Sequence, residues 1–495
     1  MVEAEMLKKV ARGGTITLIG LVLSALLGFL LRTVIGRWYG PNDYGVYNLA
    51  MTVFNVTLAI SMLGFPIGLQ REVSYLRKKK PELVETLVFT AVVIVTISSL
   101  AIMACLELKR DTIPSIIGGG TLLAETLGVL LMALPATAVV NTLVAITQGF
   151  HRVREYVLYE RVLPPALFLM VVISVTTLIG RSLLDLMKGY VALQLYMLLL
   201  ITYDLRKKGI LPKRPSFSPK LARSLLRFST PLFFSNIVWL IMTWTDTLML
   251  GHYLGSKATG IYNAAVPIAR FLTVFMVAFT TIYNPLATSL YAEGKIEELK
   301  EFYASITKWV LIMTFPLFVM LFAFPQEIII TFFGESYREA GTVLMILSVG
   351  FISQVIAGPT GLTLTAMGKT TQVLIGNTLG AVFNVVLNAT LIPTYGISGA
   401  AVATGTSFAV ANLYKLGVLA LGRIHPFKGE YLKALATLAV GTIIAVYLPH
   451  GRLISAIAGT LIASGISYLI LIRSSALSPE DRELVKELIS KMKQQ

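Results

Sequence analysis

Long uninterrupted apolar runs, separated by short polar stretches, dominate the chain. They differ from the one-sided apolar stripe of a water-soluble helix, because a helix in lipid is apolar all round and satisfies its own backbone hydrogen bonds. About fourteen runs reach the roughly 20 residues that cross a bilayer. They cover 14–36, 45–66, 83–105, 121–142, 157–180, 184–202, 224–250, 259–283, 303–324, 340–368, 370–392, 398–421, 430–449 and 452–472, and are referred to by order as helices 1 to 14. The pattern predicts an all-α polytopic membrane protein. Two polar stretches stand out: 203–223, with three prolines and many Lys/Arg, and 478–495. In the second, Ser478-Pro-Glu-Asp starts a surface helix with Leu484, Leu488 and Met492 on one face.

Composition agrees. Only 14% of the 495 residues are charged and 55% are hydrophobic, whereas a soluble chain carries about a quarter charged residues. Disordered, fibrous and nucleic-acid-binding classes are excluded despite the net charge of +16. That charge is an orientation signal. With the N-terminus in the cytoplasm, inward loops hold 31 of the 42 Lys/Arg and outward loops hold 7. The bias predicts an even number of spans with both termini inside, and attraction to anionic inner-leaflet lipid. Cys105 is the one cysteine, so neither a disulfide framework nor a cysteine-rich metal site is expected. The polar Met1–Gly13 segment gives no sign of a cleavable secretory leader.

The chain repeats. Gly36-Arg-Trp-Tyr-Gly40-Pro-Asn-Asp-Tyr-Gly45-Val-Tyr47-Asn48-Leu-Ala50 aligns with Gly251-His-Tyr-Leu-Gly255-Ser-Lys-Ala-Thr-Gly260-Ile-Tyr262-Asn263-Ala-Ala265 at an offset of 215, with six of fifteen positions identical. Arg12/Arg227 and Thr15/Thr230 keep that offset. Six helices return the chain to its starting side, so the halves are parallel copies about an axis along the membrane normal. The expected organisation is a first lobe at 1–202, a cytoplasmic linker at 203–223 and a second lobe at 224–421. Helices 13 and 14 follow at 422–472, with a surface helix at 473–495.

The 6+6+2 arrangement, the Gly-x-x-x-Gly-x4-Gly-x-Tyr-Asn turn after helices 1 and 7, and the Arg77-Lys-Lys-Lys80 run carry a family resemblance. The chain resembles the polysaccharide-biosynthesis flippases of the multidrug/oligosaccharidyl-lipid/polysaccharide exporter superfamily, over essentially its whole length. The resemblance implies two pseudo-symmetric lobes around a central cavity. It also implies movement of a polyprenyl-(di)phosphate-linked oligosaccharide from the inner to the outer leaflet of the cell membrane.

Ionisable groups inside spans are costly and are read as functional candidates. Arg270, about eleven residues into helix 8, falls near the midplane, with Pro267 one turn earlier as an expected kink. Its repeat counterpart is Asn55. A guanidinium binds phosphate oxygens bidentately and stays charged, so Arg270 is the candidate diphosphate ligand, against a structural ion pair as the alternative. Arg32 and Asp246 lie at nearly equivalent heights and are candidates for an outer gate. Lys415 extends the cationic lining, and snorkelling is the alternative for both Arg32 and Lys415. Glu125, near the outer end of helix 4, is a further candidate for gating or ion coupling.

Asn384 and Asn388 share a face of helix 11, Thr404 follows on helix 12, and Asp246 is on helix 7. Such oxygens suit a hard cation. The resemblance implies a sodium site from these three helices, with Asn388 standing where a second carboxylate is expected. Hydrogen bonding between amides is the alternative. Beyond Na⁺ no cofactor is expected, and the expected state is a monomer in contact with membrane lipid.

Three rivals follow. A multidrug antiporter needs an acidic first-lobe site, and helices 1, 2 and 5 are read as carrying no carboxylate. A membrane glycan polymerase or ligase needs a long outer loop or paired catalytic groups, which are not evident, so the chain is read as a non-enzyme. An ion channel needs a filter-like loop.

Overall fold

The computed structural model describes residues 2–109, 111–211, 216–427 and 429–473. The proposed surface helix at 478–495 lies outside them. Among the described residues every regular element is a helix. Ten helices are long and apolar enough to cross a membrane, or eleven if one bent pair counts as a span. The chain is a multi-pass membrane protein.

The elements form two compact units, 1–263 and 264–495. The first holds α1 (Val2–Ser61), α2 (Phe65–Lys79), α3 (Glu82–Glu107), α4 (Thr112–Ile117), α5 (Gly120–Leu131) and α6 (Leu134–Gly149). It continues with α7 (Val153–Tyr156), a π-helical turn (Val157–Val162), α8 (Leu163–Leu178), α9 (Leu183–Lys207) and most of α10 (Pro219–Arg270). The second unit follows with a 3₁₀ turn (Phe271–Thr273), α11 (Val274–Ala292), α12 (Ile296–Ala323), α13 (Pro325–Phe333), a second 3₁₀ turn (Glu335–Tyr337) and α14 (Ala340–Ala357). It ends with α15 (Thr360–Ala366), α16 (Thr370–Leu421), α17 (Gly429–Val446) and α18 (Leu453–Arg473).

Three of these helices are each as long as two expected spans. The 60 residues of α1 would extend about 90 Å if straight, three times a bilayer core. Each is broken at one glycine with a backbone that a helix does not use: Gly40 in α1 (φ 78°, ψ 172°), Gly255 in α10 (φ 80°, ψ −176°) and Gly396 in α16 (φ 61°, ψ −139°). Positive φ is the region glycine enters without steric strain. The polar residues around each break are absorbed into flanking helix, which is why the expected loops at 37–44, 251–258 and 393–397 are absent as loops.

Elsewhere breaks fall inside expected spans. The span at 121–142 is split into α5 and α6, bent by 49° ahead of Pro135. The span at 340–368 is split into α14 and α15, where Gly358 (φ 76°) precedes Pro359. Proline lacks an N–H and cannot continue the ladder behind it. Glu160 already falls inside the expected span 157–180, and the helix starts at Val153, which adds Glu155. The reading of helix 5 as free of carboxylates is thereby corrected. Glu160 is exposed in the π turn, the eighth residue of the 26-residue span Val153–Leu178.

Within the first unit, the residues after α9 are held by hydrogen bonds from Ser218 N to Thr90 Oγ1 (3.1 Å) and between Ser216 and Thr86 (2.9 Å). In the second, α17 and α18 join the core. Tyr431, Leu438, Ala445, Ala456 and Ala463 pack on Val310, Phe315, Val319 and Phe324. The buried Lys308 ammonium meets Glu430 at 3.1 Å.

Candidate functional site

The repeat is visible atom by atom. Gly40 and Gly255, 215 residues apart, take the same backbone conformation. In each copy the asparagine eight residues later turns back onto its own helix: Asn48 Nδ2 donates to Tyr44 O (2.6 Å) and Asn263 Nδ2 to Thr259 O (2.9 Å). The motif asparagine therefore caps the carbonyl one turn back in the helix that restarts after the break. This accounts for its presence in both copies without a ligand role.

Charged groups sit at matching places beside these turns. In the second copy, the buried Asp246 carboxylate accepts a hydrogen bond from the Tyr262 hydroxyl at 3.0 Å. In the first copy, half-buried Arg32 lies close enough to Tyr44 and Tyr47 for its charge to act on their hydroxyls. Tyr47 and Tyr262 are repeat partners, and Arg32 follows the repeat position of Asp246 by one residue. The two copies thus place opposite charges at one height, each beside the same tyrosine of the motif. Sequence reading paired Arg32 with Asp246 and missed both tyrosines. The signal was available in the conserved offset of 215.

Arg270 belongs to the second unit and is exposed. It is the last residue of α10, where the α-helix tightens into the 3₁₀ turn, and its carbonyl accepts from Thr273 Oγ1 at 2.9 Å. The irregularity falls after Arg270, not at Pro267. Counted from the break at Gly255 it lies about 22 Å along the helix, past the middle of a bilayer core of about 30 Å. Asn55, in the first unit, is half-buried and donates to Met51 O at 2.7 Å.

Lys415 is buried in α16, with Nζ 3.3 Å from Asn377 Oδ1 and its stem packed on Gly376. A snorkelling lysine would instead carry its ammonium out to the interface. Glu125 is exposed on α5. Asn384, Asn388 and Thr404 are all buried, and Asn388 Nδ2 donates to Asn384 Oδ1 at 3.2 Å. These three belong to the second unit, whereas Asp246 belongs to the first. Among the described residues no cluster of three His, Cys, Asp or Glu is spaced to hold a metal ion.

Comparison with known proteins bears on these observations. The family model described as polysaccharide biosynthesis protein matches residues 10–290, and the MatE model matches 231–390. The chain belongs to the polysaccharide biosynthesis protein family. A probable low-salt glycan biosynthesis flippase, Agl15 of Haloferax volcanii, is 28% identical over 214 residues, which are 43% of this chain. The chain spans 45% of that relative's length. Among solved structures, the lipid II flippase MurJ in an inward closed conformation superposes with a TM-score of 0.74 at 16% identity, covering 92% of this chain and 98% of that one. An inward-facing multidrug resistance MATE family transporter of the MOP superfamily superposes at 0.69 with 16% identity, covering 82% and 98%. At such identities the likeness shows a shared fold, that of the multidrug/oligosaccharidyl-lipid/polysaccharide exporter superfamily.

Proposed function

We propose that the protein is a flippase that carries a polyprenyl-(di)phosphate-linked oligosaccharide from the cytoplasmic to the outer leaflet of the cell membrane by alternating access. Both termini lie in the cytoplasm and the protein acts as a monomer. The observation that carries this reading is the exposed Arg270 within a membrane-crossing helix. A guanidinium facing lipid at that depth is strongly disfavoured, so the surface it occupies is wet. A wet, cationic surface is what an anionic sugar carrier needs, because each unpaired polar group of a glycan costs several kcal/mol in hydrocarbon. The prenyl tail stays in lipid while the diphosphate is held by Arg270. Family membership and the name borne by the Haloferax relative support the same cargo class.

Transport is favoured over catalysis and over drug antiport. The carboxylates of helix 5, Glu155 and Glu160, both fall within the first eight residues of the 26-residue span Val153–Leu178. Sodium belongs to the proposal as coupling ion. The amide and hydroxyl oxygens of Asn384, Asn388 and Thr404, with the Asp246 carboxylate, have the chemistry of a hard-cation site.

The test is reconstitution into vesicles with a fluorescent polyprenyl-diphosphate oligosaccharide. Arg270→Ala is expected to lower translocation at least tenfold, and Arg270→Lys to retain an intermediate rate, because an ammonium keeps the charge but not the bidentate fork. Unchanged translocation by Arg270→Ala overturns the assignment.

A further inference from the structure

Two sets of backbone contacts join α1 and its extension α2 to α10, all within the first unit. At the repeated turns, Gly45 lies directly against the carbonyl of Ser256, and Gly260 against the carbonyl of Pro41. Gly45 and Gly260 are repeat partners. Beside them Gly118 meets the carbonyl of Gly251, and Gly251 that of Ile117. A methyl group at any of the four would overlap its partner's backbone. At the other end of the helix, Gly64 (φ 74°) lies against the carbonyl of Ser229, and Gly68 against its hydroxyl.

Each seam has a small polar or cationic clasp. At the turns, Ser256 Oγ donates to Asn42 Oδ1 at 2.7 Å, the Tyr44 hydroxyl reaches Asn263 O at 3.4 Å, and the His252 ring meets the Ile116 carbonyl. At the other end, the Arg71 guanidinium stacks 4.3 Å from the centre of the Phe228 ring.

The spacing is informative. Gly45 and Gly64 are 19 residues apart, about 28 Å of helix, and Ser229 and Gly251 are about 33 Å apart on α10. Both distances match the hydrocarbon thickness of about 30 Å. The seams therefore lie at opposite faces of the membrane, and both are shut here.

We infer that these glycine seams are the two gates of the transport cycle, each closing one face by backbone-to-backbone contact. The inference rests on the alternating-access reading above. Glycine suits a contact that must part and re-form. At the glycines the nearest contacts are mostly backbone, with Leu49, Leu225 and Phe233 alongside, so opening separates little packed surface beyond the clasp. The missing glycine side chains allow a close fit when shut. A bulky residue in one seam holds that face open and leaves the other free to shut.

Disulfide trapping in a Cys105→Ser background tests this. One pair, Asn42→Cys with Ser256→Cys, reports the seam at the turns. The second pair, Arg71→Cys with Phe228→Cys, reports the seam at the far end. Oxidation of either pair is expected to lower translocation at least tenfold, with recovery on reduction. Gly45→Leu is expected to abolish the first crosslink and keep the second, and Gly68→Leu the reverse. Translocation at the wild-type rate by either oxidised pair, or a first crosslink that survives Gly45→Leu, overturns the inference. The cysteine pairs retain every glycine, so they carry the test even if a leucine variant fails to fold. Crosslinking needs no cargo. Reciprocal crosslinks in a protein that ignores the lipid-linked sugar would uphold the gates and refute the cargo.

Discussion

At the residue scale, Asp246 is a charge in the first unit held by a neighbouring hydroxyl. It is buried, and its bond to Tyr262 replaces part of the hydration it gave up. Removing one partner of a buried charged hydrogen bond costs about 1–3 kcal/mol. Tyr262→Phe is accordingly expected to lower the thermal midpoint in detergent, and Asp246→Asn in the Tyr262→Phe background to cost less than it does alone. Fully additive losses would show that the two side chains do not interact. Which residues to examine was legible in the sequence, because lipid makes any charge inside a span conspicuous. The partners were not. Tyr262 is 16 residues from Asp246 across a turn, and Asn377 is 38 from Lys415 across the Gly396 break. Only the folded helix pairs bring them within reach. The depth of Arg270 moved for a related reason: helix 8 restarts directly at Gly255, so the count along it starts earlier.

At the element scale, apolar runs gave the helices but not their breaks. A run records what faces lipid, whereas a break depends on one glycine or proline whose neighbours stay helical. The repeated glycines did mark two of the three breaks, because both copies keep the same position. The space beside Gly255 is open, so its alanine variant tests backbone strain alone. At φ 80°, ψ −176°, a region essentially reserved to glycine, that strain is about 1–3 kcal/mol. Gly255→Ala is expected to lower the thermal midpoint, while Gly417→Ala, also in open space but inside α16, is expected to leave it unchanged or raise it slightly. Equal responses of the two variants would deny that the break is strained for other residues.

At the scale of the whole molecule, orientation rests on many small contributions. Converting Arg77, Lys78, Lys79 and Lys80 to glutamine leaves 27 Lys/Arg in the loops expected to face inward against 7 in those expected to face outward. The bias is still nearly fourfold, so the variant is expected to insert with the same polarity, as read by one-sided labelling of an introduced loop cysteine. An inverted population would show that this single run sets the topology. The helices outside the repeat also have a structural place, in the core of the second unit. Lys308 precedes its carboxylate partner Glu430 by 122 residues. During synthesis α12 therefore emerges long before α17, and this part of the second unit stays unfinished until the ribosome has passed residue 430. A chain that stalls or is cut before then leaves a lysine in the membrane without that counter-charge, the sort of defect by which quality-control proteases recognise an incomplete membrane protein.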